Sequence, residues 1–422
     1  MPLPLWLGAL IALVMTTACA PLLAPIAWDE QRPVVGGDLR RVLASTGRLP
    51  ITHNNWVRMH QGGEAAHDAI FRLIAEAQES LYVEMFIFRD DPTGREVADA
   101  LIQRRREGVD VRVRLDSLGI EYGRTDYRIF NRLKEGGVIV QINNPWYVSP
   151  FGFNVTHRKL FIADGYRVLT GGVNIGDDYR YHYEDVMIEV WGAAAYQITH
   201  TFAASWGGDL YARWKEPPTE RPVQDVQTAS VTSYAVPWGD EPIQVALTAP
   251  GSPMGNEIRR AYLTAVNGAK QRLDVAFPYL WDDDLIDALV RACNRGVAVR
   301  ILLPDWKSYD VFHLLNLSNA RVLAEAGAQI STYNERFLHL KYLSIDDAWT
   351  SIGSANGDTR SLKENLELNL FFHRDATAKA LRSSVFERLW DVSTRAELPG
   401  SYEIPWNRQW LVPVLENLDH WM

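Results

Sequence analysis

The sequence predicts an α/β protein made of two duplicated domains, each a mixed, largely parallel sheet flanked by helices, with one active site at the pseudo-twofold interface. Three features predict it. His157-x-Lys159-x4-Asp164 recurs as His339-x-Lys341-x4-Asp346, and the same shift of 182 positions takes Asn174 onto Asn356 and Asp185 onto Glu367. Arg106-Glu107-Gly108-Val109-Asp110-Val111-Arg112 is echoed by Asn294-Arg295-Gly296-Val297-Ala298-Val299-Arg300 at a shift of 188, and one change of loop length accounts for the difference between the two shifts. Helix-like and strand-like segments alternate through both halves, the pattern of an α/β sheet.

The chain of 422 residues has room for two domains at about 150 residues each, drawn as 29–220 and 221–422. Its net charge of −9 and pI near 5.6 argue against a general nucleic-acid binder, whose affinity rests on neutralising phosphates. With two cysteines, Cys19 and Cys293, there is no disulfide framework. Cys293 reads as a small buried hydrophobe on a helix.

Residues 1–28 carry no charged side chain. Such a run is a secretory signal, a membrane anchor or a buried helix. Thr17-Ala18-Cys19 behind the apolar Leu10 to Met15 is similar to a lipoprotein cleavage site, which makes Cys19 a lipidation candidate. Either membrane reading places the catalytic body outside the cytoplasm. Asp29 to Ile51 is a polar connector. His53, His60 and His67 lack the Cys or carboxylate company of a metal site, so they read as loop and helix-surface histidines and no metal is expected.

Ala66, Ile70, Leu73, Ile74 and Ala77 form one helical face. Leu81 to Phe88 reads as a central strand interrupted by Glu84, which is either near the site or satisfied by a neighbour. A turn over 89–94, a helix over 96–106, a strand over 109–116, a helix over 129–134 and a strand over 138–142 follow. The aromatic loop from Asn143 to Asn154 forms a rim that meets an acyl chain or folds back on its own domain. A short buried strand starts after Lys159, Gly171 to Gly176 make a tight turn, and Asp185 precedes a strand over 186–190. A helix over 194–206 leads to the Pro-containing linker 216–228. The second half repeats the order with helices over 256–270, 283–295 and 312–325 and strands over 273–277 and 297–303. Trp406 to Trp421 form a tail that rests on a membrane or packs on the body.

On a strand, His and Lys two positions apart point to one side. Each motif therefore sets an imidazole beside an ammonium, the pairing that attack on a phosphodiester requires.

With their flanking strings, these motifs resemble the phospholipase D superfamily and, within it, the bacterial cardiolipin synthase-like branch. The likeness runs from about Trp56 to Phe372. It rests on Glu84 to Asp91 with Gly94, His157-Arg158-Lys159 with Asp164-Gly165, Gly171 to Gly176, Pro278-Tyr279, Phe337 to Lys341, and Gly353 to Asn356 with Arg360-Ser361. The chain departs from the branch in its single N-terminal apolar segment and in Leu340, where Ala or Ser is more familiar.

The resemblance implies a phosphatidyltransferase that works through a phosphohistidine, with no metal and no cofactor. His157 is assigned as nucleophile and His339 as general acid, and the near-symmetry leaves the reverse open. Lys159, Lys341, Asn174 and Asn356 hold the phosphate oxygens. Asp185 and Glu367, each 28 residues after a motif histidine, orient the imidazoles. Asp164 and Asp346 complete the catalytic motifs, with bracing of their own strand and turn as the simpler role. The implied substrate is a phospholipid, phosphatidylglycerol first, and the partner a membrane surface in the cell envelope, with no nucleic acid. Water as acceptor gives the alternative, a phospholipase D hydrolase releasing phosphatidic acid. A nuclease-type phosphodiesterase is the third reading.

Overall fold

The structure, a computed structural model, describes residues 39–122, 127–143, 154–206, 239–249, 255–305 and 311–395. The N-terminal apolar segment with Cys19, most of the aromatic loop, the linker 216–228 and the C-terminal tail lie outside these residues.

The first half contributes β1 (Thr52–Gln61), β2 (Ser80–Met85), β3 (Asp110–Asp116), β4 (Ile139–Asn143), β5 (Leu160–Ala163), β6 (Arg167–Gly171), β7 (Tyr183–Glu184) and β8 (Val186–Trp191). The second contributes β9 (Glu241–Thr248), β10 (Arg272–Ala276), β11 (Ala298–Pro304), β12 (Gln329–Tyr333), β13 (Phe337–Leu338), β14 (Tyr342–Ile345), β15 (Trp349–Gly353), β16 (Glu367–Phe372) and β17 (Thr394–Arg395). All but β7 and β13 join one sheet in the order β17-β12-β11-β10-β14-β15-β16-β9-β1-β8-β6-β5-β2-β3-β4.

The α/β class and the mixed sheet are as expected, but the sheet is not largely parallel. Only β2–β3, β3–β4, β10–β11 and β11–β12 are parallel pairs; the other neighbours run antiparallel. Parallel neighbours need a helical crossover, whereas antiparallel ones need only a turn. Helices Pro92–Arg106 and Asp283–Asn294 make such crossovers, and each is started by an aspartate N-cap: Asp91 accepts from Gly94 N at 2.8 Å and Asp282 from Leu285 N at 3.0 Å. The motif strands β5 and β14 instead open hairpins with β6 and β15. Their apolar runs carry no alternation that marks a hairpin, because both faces of the sheet are covered.

The halves meet through β1 and β9, which pair antiparallel at the middle of the sheet. Ahead of β1, the helix Leu39–Ala44 docks on the second half, where Arg260 donates to Thr46 O at 2.8 Å and Gln244 Nε2 to Ala44 O at 2.9 Å. Cys293 is only partly buried, at the edge of the second-half core.

Of the three histidines of this region His53 is exposed, as expected, but His60 and His67 are not at the surface. His67 is fully buried in the helix Gly63–Glu76, with Nδ1 donating to Gly63 O at 2.8 Å; burial pushes its pKa down to about 4. His60 lies in β1, its Nε2 at 3.0 Å from the buried Glu189. Arg167 Nε at 2.7 Å and Trp191 Nε1 at 3.0 Å also donate to Glu189. Burial opposes ionisation of this carboxyl, but its hydrogen bonds prevail and hold it down at about 2. Replacing Glu189 with Ala leaves these donors buried without an acceptor and is expected to cost ~3 kcal/mol of stability at neutral pH. The carboxylate's contribution is complete above its unfolded pKa of 4.5 and disappears as pH falls toward 2. Thermal melts of wild type and Glu189→Ala from pH 7 downward should therefore converge in acid.

Candidate active site

Each motif is anchored on the opposite half of the chain. His157 N donates to Leu366 O at 2.9 Å, and Leu366 N donates back to Val155 O at 2.8 Å. In the mirrored arrangement β13 pairs in parallel with β7, and His339 N donates to Glu184 O at 2.9 Å. The shift of 182 that relates His157 to His339 also relates Glu184 to Leu366, so the two contacts are one contact made twice about a pseudo-twofold axis.

That crossing decides the carboxylate partners. A spacing of 28 residues suggests that Asp185 serves His157 and Glu367 serves His339, but the structure exchanges them. Holding residue 157 against 366 places Glu367 beside His157, whose Nδ1 lies 2.9 and 3.1 Å from its two carboxylate oxygens. His339 Nδ1 lies 2.7 Å from Asp185 Oδ2. Both imidazoles and both lysines are buried, Lys159 and Lys341 completely.

Burial therefore sets the resting charges. It pushes His157 down to about 4 against the pull of Glu367. It drives His339 well below the usual range, assisted by Lys341 and Lys159. Lys159 is lowered strongly and Lys341 to about 8, again by burial first. Asp185 rises to about 6 through burial, whereas for Glu367 the charge and hydrogen bond of His157 and the charge of Lys159 outweigh burial and keep the carboxyl low. At neutral pH the imidazoles are uncharged, as a nucleophile requires, and Lys341 is a cation.

The two half-sites differ in detail. Ser354 Oγ donates to Glu367 Oε2 and receives Leu368 N at 3.0 Å. Its counterpart is Gly172, where a Cβ would come within 2.2 Å of Asp185 Oδ2 and displace that carboxylate. Each lysine donates to the carbonyl of its own motif histidine, and Lys341 Nζ also reaches His339 Nδ1 at 2.7 Å and Asp185 at 3.6 Å. Phe86 stands edge-on to His157 with ring centroids 5.1 Å apart, and Tyr179 and Tyr183 flank His339 at 5.8 and 5.6 Å. The shift of 182 pairs Gly172 with Ser354 in the sequence; no comparable signal identifies the aromatic neighbours.

Asn174 and Asn356 are buried; Asn174 Oδ1 accepts from Ile87 N at 3.2 Å, and Asn356 bonds to Asp358. Asp164 and Asp346 stand apart from the reacting groups. Asp164 accepts from the amides of Gln78, Glu79 and Ser80 at 3.0, 2.7 and 3.0 Å, and Asp346 from those of Lys270, Gln271 and Arg272 at 2.9, 2.8 and 2.8 Å. Each carboxylate braces the start of the neighbouring strand, β2 or β10, through three backbone amides. Glu84 is fully buried; its Oε1 accepts from Arg158 Nη2 at 3.0 Å, whereas its buried Oε2 has no hydrogen-bond partner among the described residues.

Two outcomes follow. Asp164→Ala is expected to cost about 3 kcal/mol in denaturant titrations by stranding three amides, while activity per folded molecule stays within about threefold. For phosphodiester cleavage, kcat/KM should rise as His157 and Asp185 deprotonate through pH 4 to 6 and fall as Lys341 deprotonates near 8. In Lys341→Arg, whose guanidinium stays charged, the alkaline limb of the pH profile should move up by more than about one unit.

Residues 70–206 and 262–390 match the family described as cardiolipin synthase, PLD-like domain. The major cardiolipin synthase ClsA of Bacillus subtilis is 30% identical over 363 residues, which is 83% of this chain and 72% of that protein. Cardiolipin synthase 1 of Staphylococcus epidermidis is 29% identical over 360 residues, covering 83% and 71%. Among solved structures, the phosphatidylserine synthase of Haemophilus influenzae superposes with a TM-score of 0.63 at 15% identity, covering 90% of this chain and 96% of that one. This last likeness speaks for the fold.

Proposed function

Because the chain belongs to the cardiolipin synthase family with phospholipase D-like domains, we propose that it transfers a phosphatidyl group from one phosphatidylglycerol to another, releasing glycerol. The observation that carries this reading is the crossed pair of buried imidazoles, each with Nδ1 held by a carboxylate from the other half.

With Nδ1–H donated to Glu367, His157 presents the Nε2 lone pair to phosphorus. The negative charge of the bound phosphodiester raises the basicity of His339, which enters the reaction as an imidazolium with Nδ1–H on Asp185. As the N–P bond to His157 forms, the P–O bond to glycerol breaks and His339 gives its Nε2 proton to the departing oxygen. The phosphatidyl group then rests on His157. A hydroxyl of the second phosphatidylglycerol returns its proton to His339 and attacks the same phosphorus, giving cardiolipin and restoring His157. Lys159 and Lys341 stabilise the charge on the non-bridging oxygens, and in a site this dry their effect exceeds that of an exposed ammonium. Asn174 and Asn356 complete the oxygen-binding set.

Burial of the reacting groups supports a lipid hydroxyl over water as acceptor. The apolar run of residues 1–28 supports action at a membrane surface, with the body in the cell envelope outside the cytoplasm. No helix among the described residues is long and apolar enough to cross a membrane.

Incubation with phosphatidylglycerol vesicles, with the lipids resolved by mass, tests the reading. Cardiolipin with an equal amount of glycerol is expected; phosphatidic acid alone would establish water as acceptor. His157→Ala and His339→Ala should each lower turnover by about 10^4-fold, and unchanged activity in either would overturn the mechanism.

A further inference from the structure

The two halves part company directly behind the motifs. In the first half, Arg158 Nη2 donates to Glu84 Oε1 at 3.0 Å and to Ser205 Oγ at 2.8 Å. Arg114 Nη1 reaches the same Glu84 oxygen at 3.5 Å, and its Nη2 donates to Asn143 Oδ1. Asn143 Nδ2 in turn donates to Thr156 Oγ1 at 2.6 Å, and Thr156 N donates to Asp116 Oδ2 at 2.7 Å. Thr156 and Arg158, the residues on either side of His157, are thus both held by polar groups. Glu84, Asp116, Thr156, Arg158 and Arg114 are between 0% and 4% exposed.

Sheet register identifies the counterparts in the second half. Glu84 pairs with Arg114, and Asp116 with Asn143; the matching pairs are Ala276 with Leu302 and Pro304 with Tyr333. The shift of 182 takes Thr156 to Leu338 and Arg158 to Leu340. Every charged member is replaced by an uncharged residue, Tyr333 alone keeping a hydroxyl, which donates to Glu335 at 3.4 Å, and Ala276, Leu302, Tyr333, Leu338 and Leu340 belong to one hydrophobic core. The same architecture is therefore stable with grease in these places. Buried charge seldom stabilises a fold more than well-packed apolar residues of similar volume, so the charged version has a use other than stability.

We infer that Glu84, Arg114, Asp116, Asn143, Thr156 and Arg158 form a positioning clamp that fixes the backbone on both sides of His157 and so makes His157, rather than His339, the nucleophile. The inference rests on the phosphatidyl-transfer reading. The nucleophile keeps one covalent geometry at phosphorus through two successive displacements, whereas the acid–base histidine only passes a proton. Directional hydrogen bonds to the flanking residues resist displacement in ways that apolar packing does not, and misplacement by about 1 Å costs on the order of 100-fold in rate.

The test installs the second half's residues in the first: Glu84→Ala, Arg114→Leu and Arg158→Leu together, removing three of the four charged side chains at once and leaving Asp116 on Thr156 N. Full-length variant and wild type are compared for fold by circular dichroism and melting, for steady-state kinetics on phosphatidylglycerol vesicles, and for the histidine adduct by rapid denaturing quench at alkaline pH with peptide mass mapping. The triple variant should melt as wild type does, lose about 100-fold in kcat with KM within about twofold, and carry little adduct on His157. Thr156→Val removes one hydroxyl and no charge, and decides the matter if the triple variant fails to fold; about a tenfold loss of kcat at constant KM is expected. Wild-type kcat and a full His157 adduct in the folded variants, or a wild-type adduct on His339, would overturn the clamp. Wild-type protein with no adduct on either histidine would instead count against phosphatidyl transfer itself.

Discussion

The arrangement depends on two backbone hydrogen bonds, from His157 to Leu366 O and from His339 to Glu184 O. Each joins a motif to the segment ahead of the other half's carboxylate, and the side-chain pairs follow from them. If the halves separated, both imidazoles would lose their partners at once, and two lysines that are wholly buried would be parted from the opposite half that covers them. Interface and catalytic centre are here the same set of contacts. A carboxylate 28 residues down the chain cannot serve its own histidine in this geometry, because that histidine faces away across the pseudo-twofold axis.

The same crossing places two copies of one motif in unequal surroundings. Burial alone would depress both imidazoles alike, but their neighbours differ. Glu367 receives the Ser354 hydroxyl and the His157 ring, whereas Asp185 shares His339 with Lys341 and needs the space that Gly172 leaves open. Glutamate has one more methylene than aspartate, and the serine opposite glycine sets how close each carboxylate can come. Small side-chain differences at symmetric positions thus give the two imidazoles unequal surroundings, and the proposed division into nucleophile and acid rests on that inequality.

Much of this was legible in the sequence. The repeated His-x-Lys pairs, the common shift of 182 and the alternation of elements lead to a duplicated α/β protein with its groups in one place, because period and spacing report local structure directly. What was hidden depends on tertiary pairing. The strand Thr52–Gln61 joins the halves yet carries no strand signal in the sequence, since only Trp56, Val57 and Met59 among its residues are aliphatic or aromatic apolar. His60 and His67 read as surface residues because their acceptors, Glu189 and the Gly63 carbonyl, are found through the fold rather than by motif. Asp164 and Asp346 end a motif that is catalytic at its other end, and only the structure reveals that each carboxylate is spent on three amides of a neighbouring strand. The groups around Arg158 are scattered from residue 84 to residue 158 and share no spacing.

The arm before the first strand has a mechanical implication. Residues 39–49 belong in sequence to the first half but are seated on the second, where Arg260 and Gln244 hold their carbonyls; the chain then enters the seam between β8 and β9. The halves are thus clasped at the start of the folded body as well as joined by the connecting segment in the middle. Proteolytic nicking of that segment would yield an interlocked pair of fragments, and a pull applied at the N-terminal end of the arm would first load the second half and the central seam, leaving the motifs at the crossing shielded from it.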